Sequence, residues 1–145
     1  MKVAFGCDHA GFVLKKAVVA HLQEMGHEVV DFGCHGLERV DYPTQGEKAA
    51  RAVASGECEL GVLICGTGIG IALAANRVHG IRAAVCSEAY SAEMTRRHND
   101  ANMIAFGARV VGEGTACAIL DAFFNAKFEG GRHAQRVAML DEIKP

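Results

Sequence analysis

In the middle of the chain, Leu60 to Cys65 is apolar apart from Gly61, and Gly66-Thr67-Gly68-Ile69-Gly70 follows with no spacer. A strand that is apolar on both faces has to be covered on both, which is the situation of a parallel sheet between two layers of helices. The rest of the chain alternates to match. Lys2 to Phe5 reads as a strand, then Leu14, Val18, Leu22 and Met25 recur at helical spacing and Gly26 stands at the C-cap. Glu28 to Phe32 reads as a second strand, and Gly33 to Pro43 is the longest loop-like stretch. Thr44-Gln45-Gly46-Glu47 has the spacing of a capping box, so a helix is expected from there to about Ser55, ended by Gly56. Beyond the glycine loop a helical run reaches Ala75, and Arg82 to Cys86 and Asn102 to Phe106 read as the last two strands. Glu88 to Arg97 and Thr115 to Ala126 read as helices, and a polar break from Lys127 to Arg132 precedes a charged final helix at about 132–143. The connections are too long for hairpins. The expected fold is α/β: a single-domain, Rossmann-like three-layer α/β/α sandwich on a five-stranded parallel sheet, spanning residues 1–145. Strand order is left open.

Composition removes several function classes. Half of the 145 residues are apolar and 22% are charged, as in a packed domain and unlike a disordered chain. The longest apolar runs, Ile71 to Ala75 and Ala116 to Leu120, fall far short of the ~20 residues that cross a bilayer. Lys2 and Asp8 enclose too short a segment for a signal-peptide core, so a cytoplasmic protein is expected. A net charge of −2, with no basic stretch longer than Arg96-Arg97, argues against a nucleic-acid surface. The six cysteines include no CxxC pair and read as reduced thiols. Cys7-x-His9 and Cys34-His35 lack common zinc spacing, so neither a metal nor any other cofactor is expected.

Ligands of open parallel sheets collect at the carboxyl ends of the strands. There the chain places Cys7-Asp8-His9, Cys65 with its glycine loop, Ser87-Glu88, and Gly107-Ala108-Arg109. Glycines at 66, 68 and 70 let several backbone amides face one point, a concavity suited to a phosphate or a developing oxyanion. Cys65 stands directly before that loop, where thiolate is favoured, whereas Cys58, Cys86 and Cys117 read as core residues. A dinucleotide fingerprint is a poor fit, because the position that needs its third glycine holds Ile71. His98-Asn99-Asp100 ends a helix and leads into the fifth strand, which places it at the opposite rim of the sheet. Arg132 and Arg136 share one helix face at i, i+4, with His133 beside them. Spacing alone leaves both a phosphate clamp and a solvated helix face open.

Taken in order, these blocks resemble the ribose-5-phosphate isomerase B family, with its galactose-6-phosphate and allose-6-phosphate relatives. The matching blocks are Ala4 to Gly11, Asp41-Tyr42-Pro43, Ile64 to Gly70, Ala74-Ala75-Asn76, Gly80 to Ala83, Arg97 to Asn102, Ala105 to Val110, and Glu129 to His133. They run from Val3 to about Val137. The resemblance implies a metal-free aldose–ketose isomerase working through an enediolate. It implies Cys65 as the base, Thr67 and the amides of Gly66, Gly68, Ile69 and Gly70 at the oxyanion, and His98 as the acid–base group that opens the sugar ring. Asp8 and Asn99 would hold hydroxyls, and His9, Arg109, Arg132 and Arg136 the phosphate. One branch of the family uses a glutamate just beyond the loop as base, but here position 71 is Ile. The family's habit implies a homodimer, or a dimer of dimers, with each site shared between subunits and the C-terminal helix on a partner. The small-molecule partner is a sugar phosphate, with five-carbon ribose 5-phosphate ahead of six-carbon alternatives. Two other classes compete: a non-catalytic nucleotide or sugar-phosphate binding module, which has no use for a thiol and a histidine, and an NAD-dependent oxidoreductase, which needs Glu88.

Overall fold

Five parallel strands require every connection to cross a face of the sheet, and in this chain helices make the crossings. The computed structural model describes Met1–Pro145. In chain order the elements are β1 (Lys2–Cys7), α1 (Phe12–Glu24), β2 (Glu28–Asp31), α2 (Tyr42–Ala54), β3 (Leu60–Cys65) and α3 (Ile69–Ala75). Then come β4 (Ala83–Val85), α4 (Ala89–Asn99), β5 (Met103–Gly107), α5 (Glu113–Phe124) and α6 (Arg132–Glu142). The sheet is a single all-parallel one with strand order β2-β1-β3-β5-β4, a single-domain α/β sandwich as expected. No helix is long and apolar enough to cross a membrane.

Crossover handedness sorts the helices between the two faces. The steps β1 to β2 and β4 to β5 run one way along the sheet, and β2 to β3 and β3 to β4 run the other. Right-handed connections therefore put α1 and α4 on one face and α2 and α3 on the other. The cores follow this division. Val3, Phe5, Val62, Ile64, Ile104 and Phe106 pack with Leu14, Val18 and Leu22 of α1 and with Ile119, Leu120 and Phe123 of α5. Ala4, Leu63, Cys65, Met103 and Ala105 pack with Ala49, Ala50 and Val53 of α2 and with Ile71 and Ala72 of α3. Alternate residues of each inner strand thus enter opposite cores, as the pleat demands. The α2–α3 layer is built from small residues because its backbones approach closely: a Cβ on Gly46 would come within 2.8 Å of the Ile71 carbonyl oxygen.

Most element ends shift by one or two residues from expectation, and three boundaries shift for a visible reason. Helix α2 starts at Tyr42, with Asp41 extended at its N-cap and Pro43 in the first turn, where a missing N–H costs nothing. Thr44 therefore lies inside the helix and no capping box forms; Glu47 accepts instead from Arg51 Nε at 2.8 Å. Glu88 caps α4 and does not begin it, its carboxylate accepting the Ser91 N–H at 2.8 Å. Strand β4 is three residues long; just before it the Arg82 N–H donates to Asn102 Oδ1 (2.8 Å) and not to a strand carbonyl, while the Arg82 carbonyl still accepts the Met103 N–H at 3.3 Å.

Edge strand β4 is held from outside by a side chain. Asn76, just past α3, donates from Nδ2 to the Ala83 carbonyl (2.9 Å) and accepts the Ala83 N–H at Oδ1 (2.8 Å), as a neighbouring strand would. Asn76→Ala should cost about 1 kcal/mol per lost bond, a drop of several degrees in Tm. Hydrogen exchange should show protection lost first at Ala83; unchanged protection there would remove Asn76 from this role.

Candidate active site

At the carboxyl end of the sheet, the loop after β3 folds over the end of β5. Gly68, at the start of α3, has φ +81°, and a Cβ there would stand 2.7–2.9 Å from the Phe106 backbone. A Cβ on Gly107 would meet the Gly66 oxygen and the Thr67 backbone at 2.6 Å. Both positions exclude any larger residue: Gly68 is required by conformation as well as by contact, Gly107 by contact. The turn carries the Gly68 N–H to Cys65 Sγ, 3.1 Å away, and the Ile69 N–H to Thr67 Oγ1, 3.2 Å away. The Cys65 sulfur thus accepts a backbone N–H, whereas Cys34 Sγ donates to the Gly36 carbonyl at 3.5 Å. Burial pushes the Cys7 thiol up to about 12, with Cys34 reinforcing it, and burial pushes Cys86 up to about 11. Those two stay protonated at neutral pH, and all six cysteines are free thiols.

The neighbouring strand ends complete this half of the site. Arg109 lies over Gly66, with Nη1 3.3 Å from where a Cβ would be, and its own N–H donates to the Gly66 oxygen (3.1 Å). Asp8, buried at the end of β1, accepts the Gly11 N–H at Oδ1 (2.9 Å), which closes the turn into α1 and commits one oxygen to structure. His9 Nδ1 accepts the Val40 N–H at 3.2 Å, so in the neutral ring the proton sits on Nε2, the nitrogen left to donate outward. The Tyr42 ring lies against Gly70, where a Cβ would come within 2.7 Å of it; sequence reasoning did not single Tyr42 out as a site residue.

His98 and Asn99 stand at the other rim, at the end of α4. Cys65 is in register with Gly107 and Gly61 with Met103, so the two groups lie a strand length apart, about 13 Å. The residues singled out in the sequence therefore form two clusters within one chain, with Cys65, Thr67, Asp8, His9 and Arg109 in one. The other is a hollow of about 350 Å³ lined by His98, Asn99, His133, Arg136, Val137 and Leu140. Arg132 is exposed at the start of α6 and does not line it. A hollow of about 820 Å³ along the outer side of α1 holds none of these residues.

Two groups in the second cluster were not among the sequence candidates. The His133 ring stacks on that of His98, with centroids 4.2 Å apart and planes 7° from parallel. Glu129 reaches both rings, 3.6 Å from His98 Nε2 and 3.6 Å from His133 Nε2. The i, i+4 spacing of Glu129 and His133 across Gly130-Gly131 was the available signal, but only the turn made by both glycines at positive φ reveals the contact. These three side chains have the composition of a metal site. A ligating imidazole holds its metal in the ring plane, however, and two parallel planes share no point. As arranged, the two rings cannot ligate one ion.

Residues 3–140 match the ribose/galactose isomerase family. The chain belongs to that family. Over 143 residues, 99% of this chain and 96% of the relative, it is 57% identical to ribose-5-phosphate isomerase B of Escherichia coli (strain K12). The solved structure of Clostridium thermocellum ribose-5-phosphate isomerase B superposes with a TM-score of 0.96 at 55% identity, covering 98% of this chain and 96% of that one. A D-erythrulose-4-phosphate isomerase of Pectobacterium atrosepticum is 41% identical over 138 residues, 94% of this chain and 91% of that protein. As a member of the ribose/galactose isomerase family the chain is an isomerase, and its α/β sheet is the one those structures have.

One property of this isomerase's second cluster is measurable in solution. Burial first, and His98 next, hold the His133 imidazole below its ordinary value of 6.5. The unfolded chain then takes up a proton that the folded one refuses, so stability is full above about 6.5 and declines as pH falls below it. His133→Gln should flatten this part of the Tm–pH curve between pH 7.5 and 5.5. An unaltered slope would show that other groups carry it.

Proposed function

We propose that the protein interconverts ribose 5-phosphate and ribulose 5-phosphate through an enediolate, with Cys65 as the base. The observation that carries this reading is the Gly68 N–H donated to Cys65 Sγ at 3.1 Å. It holds the sulfur as an acceptor beside a turn of further amides, which is what proton removal from carbon next to a developing oxyanion requires. The base takes the C2 proton of the open-chain aldose and returns it to C1 while the hydroxyl proton on O2 passes to O1, and charge built on the sugar oxygen meanwhile is stabilised by Thr67 and the loop amides. His98 opens the sugar ring by moving a proton from the C1 hydroxyl to the ring oxygen. The free oxygen of Asp8 and the amide of Asn99 hold hydroxyls. His9, Arg109, Arg132 and Arg136 hold the phosphate, and its binding energy fixes the reacting carbons in place. The 57% identical relative, named a ribose-5-phosphate isomerase B, supports a five-carbon substrate.

The site is shared between two copies of the chain in a homodimer. About 13 Å of sheet between Cys65 and the His98 end prevents one chain from presenting both to one sugar. Ile69 and Leu73 beside the glycine loop, and Met139 and Leu140 on α6, are each more than half exposed. Such surface is what a second copy covers, with α6 carrying Arg132 and Arg136 to its partner's loop.

Mixing the protein with ribose 5-phosphate in the presence of a chelator should yield ketose, and Cys65→Ala should lower turnover by roughly 10³-fold while leaving substrate affinity within a few-fold. Substantial turnover by the Ala variant would remove Cys65 as base. For the shared site, Cys65→Ala and His98→Asn chains are unfolded together and refolded as a mixture. Random pairing makes about half the dimers hybrid, each with one intact site, so roughly a quarter of all sites should recover. A mixture that stays inactive, with hybrids shown to have formed, places both residues in one chain's site.

A further inference from the structure

Glu129 is held in place on two counts. Its backbone N–H donates to the Arg97 carbonyl at 3.0 Å, and its Oε2 accepts from Arg97 Nε at 2.6 Å. Arg97 is anchored in turn, Nη1 donating to Glu93 Oε1 at 3.1 Å along α4. The carboxylate therefore has a fixed address one residue from His98, and its two oxygens face two different imidazoles at equal distance. His133 Nε2 is the one buried side-chain polar atom of the protein with no hydrogen-bond partner, and the Glu129 carboxylate lies 3.6 Å from it. What the arrangement supplies is one negative charge beside two stacked rings.

We propose that Glu129 is a positioning residue for His98, orienting its imidazole through Nε2 and stabilising the imidazolium that forms when His98 takes a proton from the sugar. The inference rests on the reading of His98 as the ring-opening group. Ring opening moves one proton from the anomeric hydroxyl onto the imidazole and then onto the ring oxygen, as the C1 to ring-oxygen bond breaks and the C1 carbonyl forms. The imidazole ends as it began, and between the two transfers it is a cation. Stacked 4.2 Å above it, His133 resists a second cation, since two imidazolium rings at that separation repel. One carboxylate facing both rings offsets one proton on the pair, the charge state the transfer passes through. With Nε2 turned to Glu129, Nδ1 is the nitrogen left for the sugar.

The test is a double-variant cycle on the full-length protein, with ribose 5-phosphate as the cyclic substrate and erythrose 4-phosphate as one too short to close the usual ring. Glu129→Gln should lower kcat on ribose 5-phosphate by roughly tenfold, part of the ~10²–10⁴ that acid–base groups contribute, with KM little changed. In the His98→Asn background the same change should cost nothing further, because its effect passes through His98. Glu129→Asp, which keeps the charge, should recover part of the loss, and a thermal melt shows that each variant is folded. Losses that multiply in the double variant, or an unchanged kcat in Glu129→Gln, overturn the proposal. The second substrate tests the underlying reading separately. If His98→Asn slows both sugars alike, His98 does not open the ring, whereas the cycle still reports whether Glu129 acts through it.

Discussion

Strand β3 runs through the middle of the sheet with Val62, Leu63 and Ile64 wholly buried, Val62 and Ile64 under one layer of helices and Leu63 under the other. Burying a side chain of that size contributes about 1.5–3 kcal/mol, so neither layer is dispensable. Right-handed crossovers then leave one way to supply two layers from this order of strands. The same strand ends at Cys65, so the element with the least freedom in the fold delivers the proposed base. A thiol at the end of a central strand inherits the rigidity of both cores.

The glycine loop depends on what lies beside that strand. Gly68 packs on the Phe106 backbone and Gly107 on the loop, a fit that exists because β5 and not β4 is the neighbour of β3. Inserting β5 between β3 and β4 therefore shapes the turn that lays the Gly68 amide on sulfur. Because β4 and β5 run parallel, α4 between them returns along the sheet and carries His98 to the far rim.

That far rim is fastened by charge more than by packing. Asp100 takes a left-handed conformation, φ +48°, which a residue with a side chain adopts at a cost. Arg96 Nη1 donates to Asp100 Oδ1 at 2.7 Å and to the Ala101 carbonyl at 2.8 Å, and Arg82 Nε donates to the Asp100 carbonyl at 2.9 Å. These bonds offset the strain and end α4 just past His98 and Asn99. Arg97 and Glu129 then fold the chain back, and α6 lies over the histidine.

Much of this was legible in the chain. The almost wholly apolar character of Leu60 to Cys65 points to a strand covered on both faces, as in a parallel sheet between helices, and Gly26 and Gly56 mark helix ends at positive φ as expected. Local patterns were weaker wherever two devices competed: Thr44 to Glu47 has the letters of a capping box, yet Pro43 in the first turn moved the start to Tyr42. The family is likewise written in the order of the short blocks. Strand order is not, since it depends on which strands meet across long connections and leaves no periodic trace in the sequence. Nor is the approach of Glu129 and His133 to His98, which comes from two successive glycine turns and a helix packing on another helix. Residue type and spacing determined which chemistry this chain carries. Only the tertiary structure decided which groups meet, because contacts between residues distant in sequence are set by the path of the backbone and not by any local preference.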